Sequence, residues 1–178
     1  MASDSGQTLH PRATGSLLDE ETGVLREDAL RWILSHEVSR ALRYGDVLTL
    51  SLVETDCGSH DLPGLRRESF RVIAQSLADQ LRKTDPIGVL CGGFAIILLS
   101  VADQAALGAA GRIWRHVREL RIPRDSSRDV EPITISVGMA SFPRDGHSGA
   151  TLLTFASQCL ATARRLGGDR IVSDPTES

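Results

Sequence analysis

The spacing of apolar residues divides most of the chain into helical and extended segments. Apolar positions that recur every three or four residues predict amphipathic helices, because such positions share one helix face. Helices are predicted over residues 27–44, 65–83, 103–120 and 150–166. Short apolar, β-branched runs predict strands over residues 47–53, 86–90, 94–100, 133–141 and 170–172. The first helix is expected to end near Gly45, and the last strand to lie at a sheet edge.

The order of these elements predicts a single α/β domain of the α+β type. After the first helix the chain runs strand–helix–strand–strand–helix–strand, which is the ferredoxin-like split βαβ arrangement. Such an arrangement places helices on one face of an antiparallel sheet, here with extra elements at both ends. Residues 1–16 and 173–178 are small and polar, and therefore predict flexible tails around a domain at 17–172.

The composition of the chain excludes several classes of protein. A net charge of −3 argues against a nucleic-acid partner, since nucleic-acid binders normally present a strongly basic face. No apolar run approaches the roughly 20 residues of a membrane helix, and the N-terminus lacks the apolar core of a secretory signal. A cytoplasmic location without membrane contact is therefore expected. Three scattered cysteines do not form a disulfide framework.

Five short segments carry motifs in a recognisable order. They are DEETGVLRE (19–27), LTLSLVETD (48–56), RKTD (82–85), ITISVGMASFPRDG (133–146) and ASQCLATARRLGGDRIV (156–172). Their order and spacing resemble the GGDEF domain of diguanylate cyclases over about residues 19–172. The resemblance implies a bacterial palm-like βαββαβ core, with an antiparallel-type sheet flanked by helices. It also implies a place in signalling by cyclic di-GMP, which active members make from two GTP.

The chain departs from the family at the positions that carry the chemistry. The family holds two divalent cations with a first-strand Asp, a backbone carbonyl and an acidic pair, because hard cations need oxygen ligands. Here Glu54 occupies the first-strand position and Thr55 supplies the carbonyl. The signature reads CGGFA or GGF around Gly92 and Gly93, and neither alignment contains the acidic pair. A degenerate, catalytically inactive domain without catalytic residues is therefore predicted.

The residues that would recognise the substrate also depart from the family pattern. The family reads guanine with an Asn and an Asp after the first strand, whereas this sequence contains no Asn and its 57–68 segment is short. The phosphate-contacting Lys of the last helix aligns with Arg164, which keeps the charge but not the geometry. No cofactor is expected, and Mg²⁺ would bind only if GTP binding persists. The vestigial metal and GTP site would comprise Glu54, Thr55, Asp56, Gly92, Gly93 and Arg164.

Arg82 and Asp85 match the family's R-x-x-D motif, which the resemblance implies to be an inhibitory cyclic di-GMP site. A guanidinium suits phosphate or the guanine edge, and a carboxylate accepts from guanine N–H groups. The family adds an arginine from the following helix, for which Arg112 and Arg115 are the nearest matches. The pair also has an ordinary explanation, as a cation at a helix end and a turn-forming Asp before Pro. We predict a regulatory domain that binds cyclic di-GMP through this corner.

Two alternative functions stay open. The first is a protein-interaction module, in which the helix over 27–44 and the N-terminal tail mediate homodimerisation or docking to another signalling protein. The second is GTP binding without turnover, in which Glu54, Asp56 and Arg164 hold a metal and the triphosphate. An amphipathic helix that merely covers the core explains the 27–44 segment equally well.

A zinc site is a further hypothesis. Cys57 and His60 are three residues apart, and the predicted hairpin brings Cys91 beside them. Two Cys and one His would need a fourth ligand, for which Asp56 and Asp61 are available. The alternative role of Cys91 is that of a small residue packed at a tight turn.

Overall fold

The computed structural model describes residues 16–56, 63–121 and 133–177. Its helices are α1 (Glu27–Tyr44), α2 (Pro63–Gln80), α3 (Asp103–Glu119) and α4 (Gly149–Arg165). Its strands are β1 (Leu48–Thr55), β2 (Ile87–Leu90), β3 (Gly93–Leu99), β4 (Ile135–Phe142) and β5 (Ile171–Val172). Every predicted helix and strand is present, with ends shifted by up to three residues. No helix in these ranges is long and apolar enough to cross a membrane.

The five strands form one sheet in the order β2-β3-β1-β4-β5. β1 lies at the centre and pairs antiparallel with β3 and β4, while β2 pairs antiparallel with β3. The short strand β5 pairs parallel with β4 at the sheet edge, as predicted. This is the ferredoxin-like order with one added edge strand.

Helices cover both faces of the sheet, which corrects the prediction that they share one face. The prediction holds for α2 and α3, whose apolar residues pack with Phe94 and Ile96 of β3. α1 and α4 bury the opposite face, against Leu48, Leu50 and Leu52 of β1. The cause is visible in β1, where six consecutive residues are buried instead of every second one. Burial on both faces of a strand gives a continuous apolar run.

The ends of two helices are fixed by local backbone geometry. Gly45 ends α1 in the left-handed region at φ 69°, and its N–H donates to the carbonyl of Ala41. Ser148 caps α4 through a reciprocal pair of hydrogen bonds with Thr151.

Of the two predicted tails, only the C-terminal one lies largely within the described residues. Residues 1–15 of the N-terminal tail lie outside the described residues. At the other end, the hydroxyl of Thr162 on α4 donates to the carbonyl of Pro175 at 3.1 Å. The guanidinium of Arg165 also donates to the carbonyl of Glu177, so the segment 173–177 contacts α4.

Candidate functional site

The Gly-Gly segment forms a tight hairpin between β2 and β3. Leu90 pairs with Gly93, so that Cys91 and Gly92 alone make the turn, at φ 50° and 83°. Both central residues have positive φ, as in a type I′ turn, and glycine adopts this conformation at no steric cost. A Cβ on Gly93 would overlap the carbonyl oxygen of Val53 on β1. Both glycines are therefore required by the backbone geometry of the hairpin. The hairpin offers no carboxylate to a cation.

The tip of this hairpin is bound to the first turn of α1. The carboxylate of Glu27 accepts from the backbone N–H of Cys91 at 3.3 Å. The guanidinium of Arg31 pairs with the same carboxylate at 2.8 Å. The Arg31 hydrogen bond, with a smaller contribution from the Cys91 N–H, lowers the pKa of Glu27. The role of Glu27 is not predictable from the sequence, because its contact with Cys91 joins residues 64 positions apart.

Glu54 and Arg164, two residues of the predicted vestigial site, are bound to each other. The Arg164 guanidinium lies 2.9 Å from a carboxylate oxygen of Glu54. Glu54 lies near the end of β1, and Arg164 lies in the last turn of α4. The carboxylate expected to bind a metal and the cation expected to bind phosphate are therefore paired with each other.

Asp56 has a structural set of partners. One carboxylate oxygen accepts from the hydroxyl of Ser136 at 2.6 Å, and the other accepts from the backbone N–H of Asp169 at 2.8 Å. Asp169 has a positive φ of 52° and follows two glycines that also have positive φ. Asp56 therefore anchors the loop between α4 and β5 to the end of β1. Both of its oxygens accept hydrogen bonds from the protein, which leaves it poorly suited to a metal.

Replacement of Asp56 with alanine is expected to lower the free energy of unfolding by about 2 kcal/mol, because it leaves the buried Ser136 hydroxyl and the Asp169 N–H unpaired. Urea denaturation followed by circular dichroism measures the change. Glu54→Ala is the control, since it removes a partly exposed ion pair worth at most about 1 kcal/mol. Equal losses in the two variants would contradict the structural role of Asp56.

The structure bears on the zinc hypothesis only in part. Cys57, His60 and Asp61 lie outside the described residues, whereas Cys91 is exposed at the hairpin tip. Among residues 16–56, 63–121 and 133–177, no group of three or more His, Cys, Asp or Glu side chains is arranged to hold a metal ion.

Arg82, Asp85 and Arg112 line one groove, which we call the α2–α3 groove. It lies between the end of α2 and the first half of α3, has a volume of about 290 Å³, and has Leu81, Leu98 and Ile113 among its apolar walls. α2 ends at Gln80, three residues before its predicted end, so Arg82 lies beyond the helix. The N–H of Asp85 donates to the carbonyl of Arg82 at 3.0 Å, so the two residues share a turn beyond the helix.

The three polar side chains of the groove differ in how they are held. Asp85 is only 8% exposed, and one of its carboxylate oxygens accepts from the N–H of Leu99 at 3.2 Å. Arg82 and Arg112 are exposed, and neither forms an ion pair with another described residue. Arg115, the other arginine suggested by the sequence, does not line the groove. Its guanidinium instead donates to the carbonyl of Gly111 on its own helix.

Comparisons with known proteins agree with this architecture. The chain matches the family model described as diguanylate cyclase, GGDEF domain, over residues 67–170. The GGDEF domain of DgcB from Caulobacter crescentus, solved in complex with c-di-GMP, is 18% identical, with a TM-score of 0.78 over 89% of this chain and 95% of that chain. The FimX GGDEF domain from Pseudomonas aeruginosa is also 18% identical, with a TM-score of 0.75 over 88% and 99%.

A third structure comes from a longer chain. Diguanylate cyclase SiaD from Pseudomonas aeruginosa, solved in complex with its activator SiaC, is 25% identical, with a TM-score of 0.78 over 88% of this chain and 61% of that chain. No curated protein matches the sequence significantly.

Proposed function

Because the chain belongs to the GGDEF domain family, we propose that it is a regulatory domain of cyclic di-GMP signalling that binds this nucleotide without synthesising it. The observation that carries the proposal is the α2–α3 groove, into which Arg82, Asp85 and Arg112 converge. These are two cations and one carboxylate around an apolar floor, and cyclic di-GMP presents anionic phosphates and polar guanine edges beside flat rings.

Each side chain of the groove has a chemical counterpart on the ligand. The exposed guanidinium groups of Arg82 and Arg112 would donate to phosphate oxygens, which are the acceptors that arginine matches best. Asp85 would accept from the N–H groups on the edge of guanine, and its bond to Leu99 holds the carboxylate in place. The volume of about 290 Å³ lies at the lower end of small-molecule sites, which range over about 300–1,000 Å³. It suits one base with its phosphate.

Three features at the end of β1 and at the β2–β3 hairpin support the proposed lack of cyclase activity. Two-cation chemistry needs several oxygen ligands free to bind metal. Glu54 is bound to Arg164, Asp56 accepts two hydrogen bonds from the protein, and the hairpin at Gly92 carries no carboxylate. GTP binding at this edge would require those internal contacts to open first.

We expect the purified protein to form no cyclic di-GMP from GTP in the presence of Mg²⁺ or Mn²⁺. Chromatography of the reaction after long incubation at high protein concentration measures the product. An active member of the family assayed in parallel shows that the conditions support turnover. Product above the background of a Glu54→Ala, Arg164→Ala double variant would overturn this part of the proposal.

Isothermal titration with cyclic di-GMP tests the binding function directly. We expect saturable binding, together with much weaker binding of cyclic di-AMP, because adenine places an acceptor where guanine presents a donor to Asp85. No heat of binding at tens of micromolar ligand, or equal affinity for the two nucleotides, would contradict the proposal.

A second candidate function is protein docking through α1. Leu42 and Tyr44 at the end of α1 are 65% and 70% exposed, and Trp32 is 36% exposed and contacts the ring of His36 in a tilted arrangement. Exposed apolar side chains on a helix covering the sheet are consistent with a homodimer or with another signalling protein as partner. Light scattering over a range of concentrations measures self-association. A Trp32→Ser, Leu42→Ser variant that associates as the wild type does would count against this candidate.

A further inference from the structure

The outward side of α1 carries exposed residues at regular intervals. Asp28, Trp32, Ser35, Ser39 and Leu42 are all exposed, and the intervals between them alternate between four and three residues. Residues with this spacing share one side of a helix, as in the contact surface of two paired helices. The opposite side of α1 is buried against the sheet. We call these five residues the α1 outer face.

The polar side chains on and beside this face have hydrogen-bond partners within α1. The hydroxyl of Ser39 donates to the carbonyl of Ser35 at 2.8 Å, and Nδ1 of His36 lies 3.0 Å from the carbonyl oxygen of Trp32. A polar group is costly to bury chiefly when it loses its partner. A second helix could therefore cover the α1 outer face without leaving these groups unpaired, and it would remove the exposed surfaces of Trp32 and Leu42 from water.

The charges at the two ends of the face have opposite signs. Asp28 lies in the first turn of α1, and Arg43 lies in the last turn beside Leu42. The Asp28 side chain is 65% exposed and lies 3.5 Å from the guanidinium of Arg26, whereas Arg43 forms no ion pair with another described residue. This distribution complements the helix dipole, and it also makes the helix complementary to an antiparallel copy of itself. A parallel copy would place like charges together at both ends.

We infer that the α1 outer face binds a second copy of this chain in an antiparallel, two-fold arrangement, with Asp28 of each protomer against Arg43 of the other. The register that joins these two residues also places Trp32 opposite Ser39, whose small side chain leaves room for the indole. The inference rests on the second candidate function, docking through α1, and specifies the partner and its orientation. One pair of helices of this length is a small interface, so the dimer should be weak and should form only at high concentration.

Charge reversal tests the orientation. Asp28→Arg and Arg43→Asp each convert both attractive pairs of the dimer into repulsive pairs, so each variant is expected to dimerise about tenfold more weakly. The double variant Asp28→Arg, Arg43→Asp restores opposite charges across the interface and is expected to dimerise as the wild type does. Because the double variant opposes the helix dipole at both ends, an effect on the stability of α1 alone would make it the weakest of the three.

Sedimentation equilibrium over a range of concentrations measures the dissociation constant of each variant. Glu119→Arg is the control, since it changes the net charge as Asp28→Arg does but lies on α3, and it should leave dimerisation unchanged. A monomeric wild type at every concentration, or a double variant no better than the single variants, would overturn the inference.

The same measurement separates this inference from docking through α1 in general. If the wild type dimerises and the Trp32→Ser, Leu42→Ser variant loses association while the charge variants do not, α1 forms the contact in another orientation. The inference is then wrong, although the second candidate function stands. If none of the α1 variants loses association, both are wrong.

Discussion

Replacement of Arg82 with alanine is expected to weaken the binding of cyclic di-GMP by about 10- to 100-fold, which corresponds to the roughly 1.5–3 kcal/mol of a hydrogen bond to a charged group. Arg82 is exposed, lines the α2–α3 groove and pairs with no other described acidic residue, so its guanidinium is available to a phosphate. Its side chain is not part of the core. The substitution should therefore change the affinity and leave the stability unchanged.

Lys83 supplies the matched control for this measurement. It is the adjacent residue, is also exposed and carries the same charge, yet it does not line the groove. Lys83→Ala removes one unit of long-range positive potential, an effect that salt screens within about 10 Å at 0.1 M ionic strength. Isothermal titration of both variants separates the two contributions. Equal losses of affinity would mean that only general electrostatic attraction is involved, and would contradict a contact between Arg82 and the ligand.

Local patterns predict the fold of this chain well. The hairpin around Cys91 and Gly92 is predictable because two apolar runs flank a turn that needs positive φ. The end of α1 at Gly45 is predictable because glycine readily takes the positive φ of a helix C-terminus. The order of elements alone does not predict the division of the helices between two faces, although the unbroken apolar run of β1 is a signal of burial on both sides.

The candidate site is predictable only where its residues are close in sequence. Arg82 and Asp85 share one turn, so their proximity follows from their spacing. The choice between Arg112 and Arg115 depends on how α3 is rotated against the sheet, which sequence periodicity gives only approximately. The ion pair of Glu54 with Arg164 joins residues 110 positions apart, so only the tertiary structure reveals it.

Gly138 in the ITISVGMASF segment is a family-like motif residue with a packing role. A Cβ on Gly138 would overlap the carbonyl oxygen of Ala156 and the N–H of Leu160, and would lie 2.8 Å from the Cα of Leu160. α4 therefore packs with its backbone directly on β4, and this contact holds the helix that carries Arg164 beside Glu54. The motif is therefore needed for packing.

Gly138→Ala is accordingly expected to lower the free energy of unfolding by about 3 kcal/mol or more, because a methyl group that meets backbone atoms cannot be accommodated by a change of rotamer. Gly111→Ala is the matched control, since its new Cβ meets no atom within 4 Å. That substitution should raise stability by about 0.5–1 kcal/mol through helix propensity alone. Urea denaturation measures both changes as shifts in midpoint at constant slope. The same substitution should thus change the free energy of unfolding in opposite directions at the two glycines. A stable Gly138→Ala variant would contradict direct backbone packing of α4 on β4.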